Sequence, residues 1–242
     1  HLMNINFILQ GKGGIGKSFL ASVISQSLLA NNHRIMCIDT DPVNASFAGF
    51  KSLNIHQIKI LDENKEIDSS AFDKFMELIC SAEEIDDVII DNGAASFIAL
   101  TNYLLLNGIF DMLQEMGHSI TVHTIVVGGQ AFSDTLVGVN EVCNYFKDKC
   151  SIVVWENEYF GKIERNGKQF TDFPVYKNNA DQITHVLKLE HLHEMFANDL
   201  KRMNEMHLTF DDANQSKDFT FMQKNRLNII KNKLFEQCNQ LI

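Results

Sequence analysis

Gly11-Lys12-Gly13-Gly14-Ile15-Gly16-Lys17-Ser18 decides the fold, because this octet lies where a short apolar strand, Asn4 to Gln10, hands over to an amphipathic stretch, Ser18 to Leu29. It fits Gly-x-x-x-x-Gly-Lys-Ser at every fixed position, and the pattern has a mechanical reason. Small residues let consecutive backbone N–H groups turn inward onto phosphate oxygens, and the start of the helix adds partial positive charge at the same point. Lys17 is expected to reach the β- and γ-phosphates of a nucleotide, and the Ser18 hydroxyl to ligate Mg²⁺. Gly11, Lys12, Gly13, Gly14, Ile15, Gly16 and Phe19 complete the expected binding loop.

Outward from the loop, Leu20, Val23, Ile24, Ser27 and Leu28 recur at helical spacing. Ile35 to Asp39, Val88 to Asp91, Ile120 to Val127 and Ile152 to Trp155 are near-continuous apolar runs, as expected of strands covered on both faces. Helical stretches separate them over Ser70 to Ala82, Ile98 to Met116 and Phe132 to Lys147. This alternation predicts an α/β fold, a doubly wound, mostly parallel sheet with helices on both faces. Weaker strand signals fall at Ile58 to Leu61 and Val186 to Leu189. The remainder reads as helix over Glu190 to Met206, a polar turn at Thr209 to Asp212, and helix over Phe219 to Leu241. Ile89-Ile90-Asp91 is an apolar strand ending in a carboxylate downstream of the phosphate loop, the arrangement that holds Mg²⁺ directly or through water.

Of 242 residues, 45% are hydrophobic and 21% charged, an ordinary globular composition. One domain spanning 3–242 is expected, with His1-Leu2 ahead of Met3 read as a cloning remnant. Five cysteines without a Cys-x-x-Cys pair favour reduced thiols and a cytoplasmic setting. The net charge of −10 opposes sequence-independent DNA binding, which rests on many Lys/Arg–phosphate contacts. Only the tail from Lys217 to Lys233 is locally basic, and a solvated helix face explains it. No apolar run reaches the roughly 20 residues of a membrane span.

Lys12 inside the loop makes the sequence resemble the deviant Walker A ATPases, the family of ParA and MinD and of the SIMIBI class of P-loop proteins. That resemblance implies ATP and Mg²⁺ as ligands and slow hydrolysis. It implies that Lys12 crosses to the phosphates of a second copy in an ATP-dependent homodimer, with Lys12, Lys17 and Asp41 catalytic. It assigns Asp39 to Pro42 to switch I, with Asp41 positioning the attacking water and Asp39 near the Mg²⁺ shell held by Ser18 and Asp91. Gly93 to Ser96 becomes switch II, and Asn157, after a late strand, an adenine contact. Cys37-Ile38-Asp39-Thr40-Asp41-Pro42-Val43-Asn44-Ala45, Gly128-Gly129-Gln130-Ala131 and Thr209-Phe210-Asp211 narrow the resemblance to ParA-like ATPases encoded among conjugative-plasmid transfer genes. A role in conjugation or plasmid maintenance, with a protein partner in the transfer apparatus, is implied. Val43 stands where partition ATPases usually carry glutamine, which with the acidic charge argues for weak or indirect DNA contact.

His191 and His193 are two residues apart and share no helical face, so they do not chelate one ion. His118 and His123 face opposite sides of an extended strand, and His123 is expected as a satisfied core histidine. The stripe Leu227, Ile230, Leu234, Cys238 and Leu241 is expected to dock the last helix on the domain rather than on a membrane. A small-molecule kinase or ATP-dependent ligase on the same fold is the alternative, as is a binding module without hydrolysis.

Overall fold

Asn4–Ile8 forms β1 at the centre of a seven-stranded sheet. The computed structural model describes residues 1–242. The glycine loop leads into α1 (Lys17–Ala30), β2 (Ile35–Asp39), a two-residue edge strand β3 (His56–Gln57), α2 (Ser70–Cys80) and β4 (Asp87–Asp91). Then come α3 (Phe97–Leu106), α4 (Ile109–Glu115), β5 (Ser119–Val127), α5 (Phe132–Tyr145) and β6 (Ser151–Asn157). The chain closes with α6 (Pro174–Asn179), β7 (Ile183–Leu189), α7 (Glu194–Glu205), α8 (Phe210–Gln215) and α9 (Phe221–Asn239). All strands pair in parallel in the order β3-β2-β4-β1-β5-β6-β7, so the doubly wound sheet read from the alternation is present.

Side-chain alternation divides the core into two layers. Ile5 and Phe7 of β1 face a layer built from α2 to α6, including Phe72, Phe75, Leu100, Phe110 and Val142. Ile8 faces the other layer, where α1, α7, α8 and α9 bury Leu20, Val23, Leu200, Phe210 and Leu227. The stripe on α9 docks as expected: Leu227, Ile230, Leu234 and Cys238 are buried, and Leu241 packs against them. Removing Leu227, Ile230 and Leu234 from water stabilises the docked helix by about 1.5–3 kcal/mol each. A half-buried Arg226–Asp199 ion pair ties α9 to α7. No single helix is long and apolar enough to cross a membrane.

Several sequence expectations are corrected. Ile98 to Met116 is two helices, because Gly108 adopts φ 57 in the left-handed region and breaks the run. The apolar period continued through the break because Leu104, Ile109, Phe110 and Leu113 are all buried. The edge strand is His56–Gln57 rather than Ile58 to Leu61. Its exposed polar residues gave no strand signal, and Leu61 forms only an isolated bridge with Ile67. Thr209 to Asp212 opens α8 rather than forming a turn: the Thr209 hydroxyl accepts from the Asp212 N–H, and the Asp212 carboxylate accepts from the Thr209 N–H. His191 and His193 lie in the connection before α7, not on it.

Candidate functional site

The phosphate loop leaves the end of β1 and enters α1 through two left-handed glycines, Gly14 at φ 70 and Gly16 at φ 98. Gly16 caps α1 without a side-chain hydrogen bond, and α1 carries no acid in its first turn, so the amides there are open to an anion. Lys17 is buried and donates from Nζ to the carbonyl of Lys12 at 2.7 Å, which curls its ammonium back over the loop. Burial lowers its pKa, and the charges of Asp91 and Asp41 oppose that shift.

Ser18 donates from Oγ to Asp91 Oδ2 at 2.7 Å, joining the head of α1 to the end of β4. The second carboxylate oxygen, Asp91 Oδ1, is buried without a partner. Desolvation pushes the Asp91 carboxyl up to about 7; the Ser18 hydrogen bond opposes this and the neighbouring Asp39 adds to it. Asp39 and Asp91 are register partners on β2 and β4, so two buried carboxylates lie side by side. An orphaned oxygen, an adjacent hydroxyl and an excess of buried negative charge form an all-oxygen donor set suited to a hard divalent cation such as Mg²⁺.

Asp39 is used differently from Asp91. Its Oδ1 accepts from the Asp41 N–H at 2.9 Å and its Oδ2 from the Ala48 N–H at 2.8 Å, so both oxygens hold the loop that follows β2. Burial raises its pKa against those two hydrogen bonds. Asp41 turns the same loop, accepting at Oδ1 from the Val43 and Asn44 amides at 2.9 Å each. Its carboxylate lies on the backbone of Gly93, where a Cβ would come within 2.4 Å of Asp41 Cγ. The segments after β2 and β4 therefore touch directly. Asn92 adds a second tie, accepting at Oδ1 from the hydroxyls of Thr40 at 2.8 Å and Ser96 at 2.7 Å.

Lys12 points to the other side of the loop. Its Nζ pairs with Asp134, in the first turn of α5, at 3.2 Å, and both side chains are exposed. Asn157, expected at adenine, is buried and engaged within the protein. It donates to the Ile15 carbonyl at 3.0 Å and accepts from the Tyr159 N–H at 3.0 Å, so it braces the phosphate loop. Gln10 is a second brace that the sequence reading missed. It is buried, donates from Nε2 to the carbonyls of Ile125 and Thr135, and approaches α5 over Gly138. Its only signal was a polar residue at the end of an apolar strand.

Two cavities meet at Ser18, Phe19 and Ser46. One, of about 380 Å³, is lined by the glycine loop, Asp41 and Ala94–Ala95. The other, of about 720 Å³, is walled by Phe19, Phe50, Tyr159, Phe160 and Leu192. Phe19 and Tyr159 face each other there with ring centroids 5.8 Å apart. Nothing in the sequence grouped these aromatics, because they come from α1 and from the separate connections that follow β2 and β6.

Residues 7–237 match the family model described as "CobQ/CobB/MinD/ParA nucleotide binding domain". Two proteins named "Protein TraL" from Escherichia coli are 42% and 41% identical over 237 and 239 residues; each alignment covers 98% of this chain, and 97% and 98% of the respective TraL chains. Among solved structures, the MinD cell division protein of Aquifex aeolicus superposes with a TM-score of 0.57 at 13% identity, covering 98% of this chain and 96% of that one. A putative plasmid partition protein of Borrelia burgdorferi B31, bound to AMPPNP, superposes with a TM-score of 0.53 at 14% identity over the whole of both chains. At those identities the structures speak to the fold alone, but the family model and the two full-length relatives go further. This chain belongs to the CobQ/CobB/MinD/ParA family of nucleotide-binding proteins.

Proposed function

We propose that this protein binds ATP with Mg²⁺, hydrolyses it slowly, and uses the bound nucleotide to pair with a second copy of itself. The observation that carries this reading is the buried, unpartnered Asp91 Oδ1 beside Ser18, at the foot of a left-handed glycine loop. In this reading the amides of Gly13 to Ser18 hold the phosphates, and Lys17 releases the Lys12 carbonyl to reach them. Ser18 and Asp91 hold the metal, which when bound neutralises charge on the transferred phosphoryl group. Asp41 orients the attacking water from its seat on Gly93. The adenine enters the larger cavity against Phe19 and Tyr159 rather than contacting Asn157, whose polar atoms serve the loop.

Lys12 leaves Asp134 to meet the partner copy's phosphates, where it supplies positive charge as an arginine finger would. Similarity to the two TraL relatives supports a role in plasmid transfer, and in this reading the ATP-bound dimer is the species that engages a protein of the conjugation apparatus. The test is solution mass by light scattering with ADP and with a non-hydrolysable ATP analogue, on wild type and Lys12→Ala. A dimer formed with the analogue alone, and absent in Lys12→Ala, is the expected result. Analogue binding without any change of mass ends the dimer reading and directs attention to small-molecule phosphoryl acceptors.

A further inference from the structure

The strands of this sheet are apolar toward the phosphate-loop end and polar at the opposite end, on the face covered by α1 and α9. Register makes the polar part continuous. Asp87, Asn4 and Ser119 stand side by side across β4, β1 and β5. One step further along, Asn6, Thr121 and Ser151 are aligned across β1, β5 and β6. Next comes His123, level with Val153 on β6 and, beyond it, His185 on β7. Asn4 and Ser119 at the rim of this floor are exposed, but Asn6 and His123 further in are buried, where central strands normally present apolar side chains to their helices and polar ones are costly unless satisfied.

Part of the floor satisfies itself. His123 Nε2 donates to Asn6 Oδ1 at 2.9 Å, Trp155 Nε1 donates to His123 Nδ1 at 3.0 Å, and Asp87 is paired with His33. The hydroxyls of Thr121 and Ser151 have no such partner and stand half-buried over open space. That space is a cavity of about 450 Å³, roofed by Ile24 and Leu28 of α1 and by Cys238 and Leu241 at the end of α9. Its volume falls in the range of small-molecule sites. No lysine or arginine lines it, and its one acidic side chain, Asp87, is already paired with His33, so no cationic group is left to hold phosphates or other anions. Hydroxyl, amide and imidazole groups alternate donors and acceptors along the floor, with an apolar roof opposite.

We propose that this cavity is a second binding site, remote from the phosphate loop, for an uncharged, hydroxyl-rich small molecule of sugar size. It is independent of the nucleotide reading. Trp155 is the chain's one tryptophan and is bonded to the floor through His123, so its fluorescence reports on the site. The intact protein is titrated with glucose, sucrose and myo-inositol, and separately with glucose 6-phosphate, while Trp155 emission and histidine ring NMR signals are followed. A saturable response to at least one neutral compound is expected, weakened about five- to tenfold in Thr121→Val, as for loss of one hydrogen bond. Nucleotide binding in Thr121→Val is expected to equal wild type, which shows that the variant is folded. No saturable response to any neutral probe overturns the proposal. So does glucose 6-phosphate binding more tightly than glucose, or a response that Thr121→Val leaves unchanged.

Discussion

Asp91 and His123 are both buried ionisable groups, yet they bend stability with pH in opposite directions. Burial holds Asp91 up at about 7, above the ordinary aspartate value, so its contribution is fully present at low pH and is lost as pH rises toward 7. Burial holds His123 down at about 3, so its contribution is present above the ordinary histidine value and is lost as pH falls toward 3. Each shift corresponds to about 4–5 kcal/mol at full expression, and over pH 4 to 6.5 their opposite slopes largely cancel. In nucleotide-free protein, Asp91→Asn is therefore expected to become more stable relative to wild type as pH rises from 4.5 to 7, and His123→Gln less stable. Urea midpoints at the two pH values measure both. If the proposed function holds, Asp91→Asn is also expected to make nucleotide affinity insensitive to added Mg²⁺, measured by calorimetry with and without the metal. A second residue-level expectation concerns Lys12, which must leave Asp134 before it can reach a partner. An exposed ion pair is worth less than about 1 kcal/mol, so Asp134→Ala should leave the melting temperature unchanged. It should shift analogue-driven dimerisation to protein concentrations lower by up to about fivefold, read by light scattering. The glycine octet with Ser18 was legible in the sequence because its internal spacing is fixed by backbone geometry, and Asp91 because it ends an apolar strand downstream of that loop. The inward use of Asn157 and Gln10 was not, since both act through partners more than a hundred residues away.

Helices in this fold were visible where apolar period and caps agreed, and misread where one signal was missing. The Thr209-x-x-Asp212 cap was present in the sequence, but only six helical residues follow it, too few for the period to show. The α3–α4 break had the opposite defect, a period that continued across a left-handed glycine. One element-level contact has a direct test. A Cβ on Gly138 of α5 would fall 1.8 Å from Gln10 Oε1, inside the buried brace beneath the phosphate loop. Alanine is the better helix former, by about 1 kcal/mol over glycine. Overpacking at this seam costs more, about 1–3 kcal/mol, so Gly138→Ala is expected to be destabilising overall. Because Gln10 also accepts from the Lys12 N–H, the same variant should bind nucleotide less tightly, measured by calorimetry alongside thermal unfolding.

At the scale of the molecule, the surplus of ten negative charges sets the long-range field. The basic tail does not offset it, since Arg226 is taken up by Asp199 and Lys233 lies 3.9 Å from Glu190. Random duplex DNA is therefore expected to show no saturable binding by fluorescence anisotropy at physiological salt, with or without the ATP analogue. The order of strands carries a further consequence, for how the chain is made. β1 lies between β4 and β5, and β2 reaches β1 only through β4. As the chain leaves the ribosome, β1, the glycine loop, α1 and β2 all emerge before either neighbour of β1 exists. The loop then has no Asp91 to bond Ser18, and two apolar strands expose unpaired edges. Nucleotide thus cannot assist the earliest stage of folding. Amides of β1 are expected to gain hydrogen-exchange protection only together with those of β4 and β5, and nascent chains ending before Asp87 to depend on a chaperone to stay soluble.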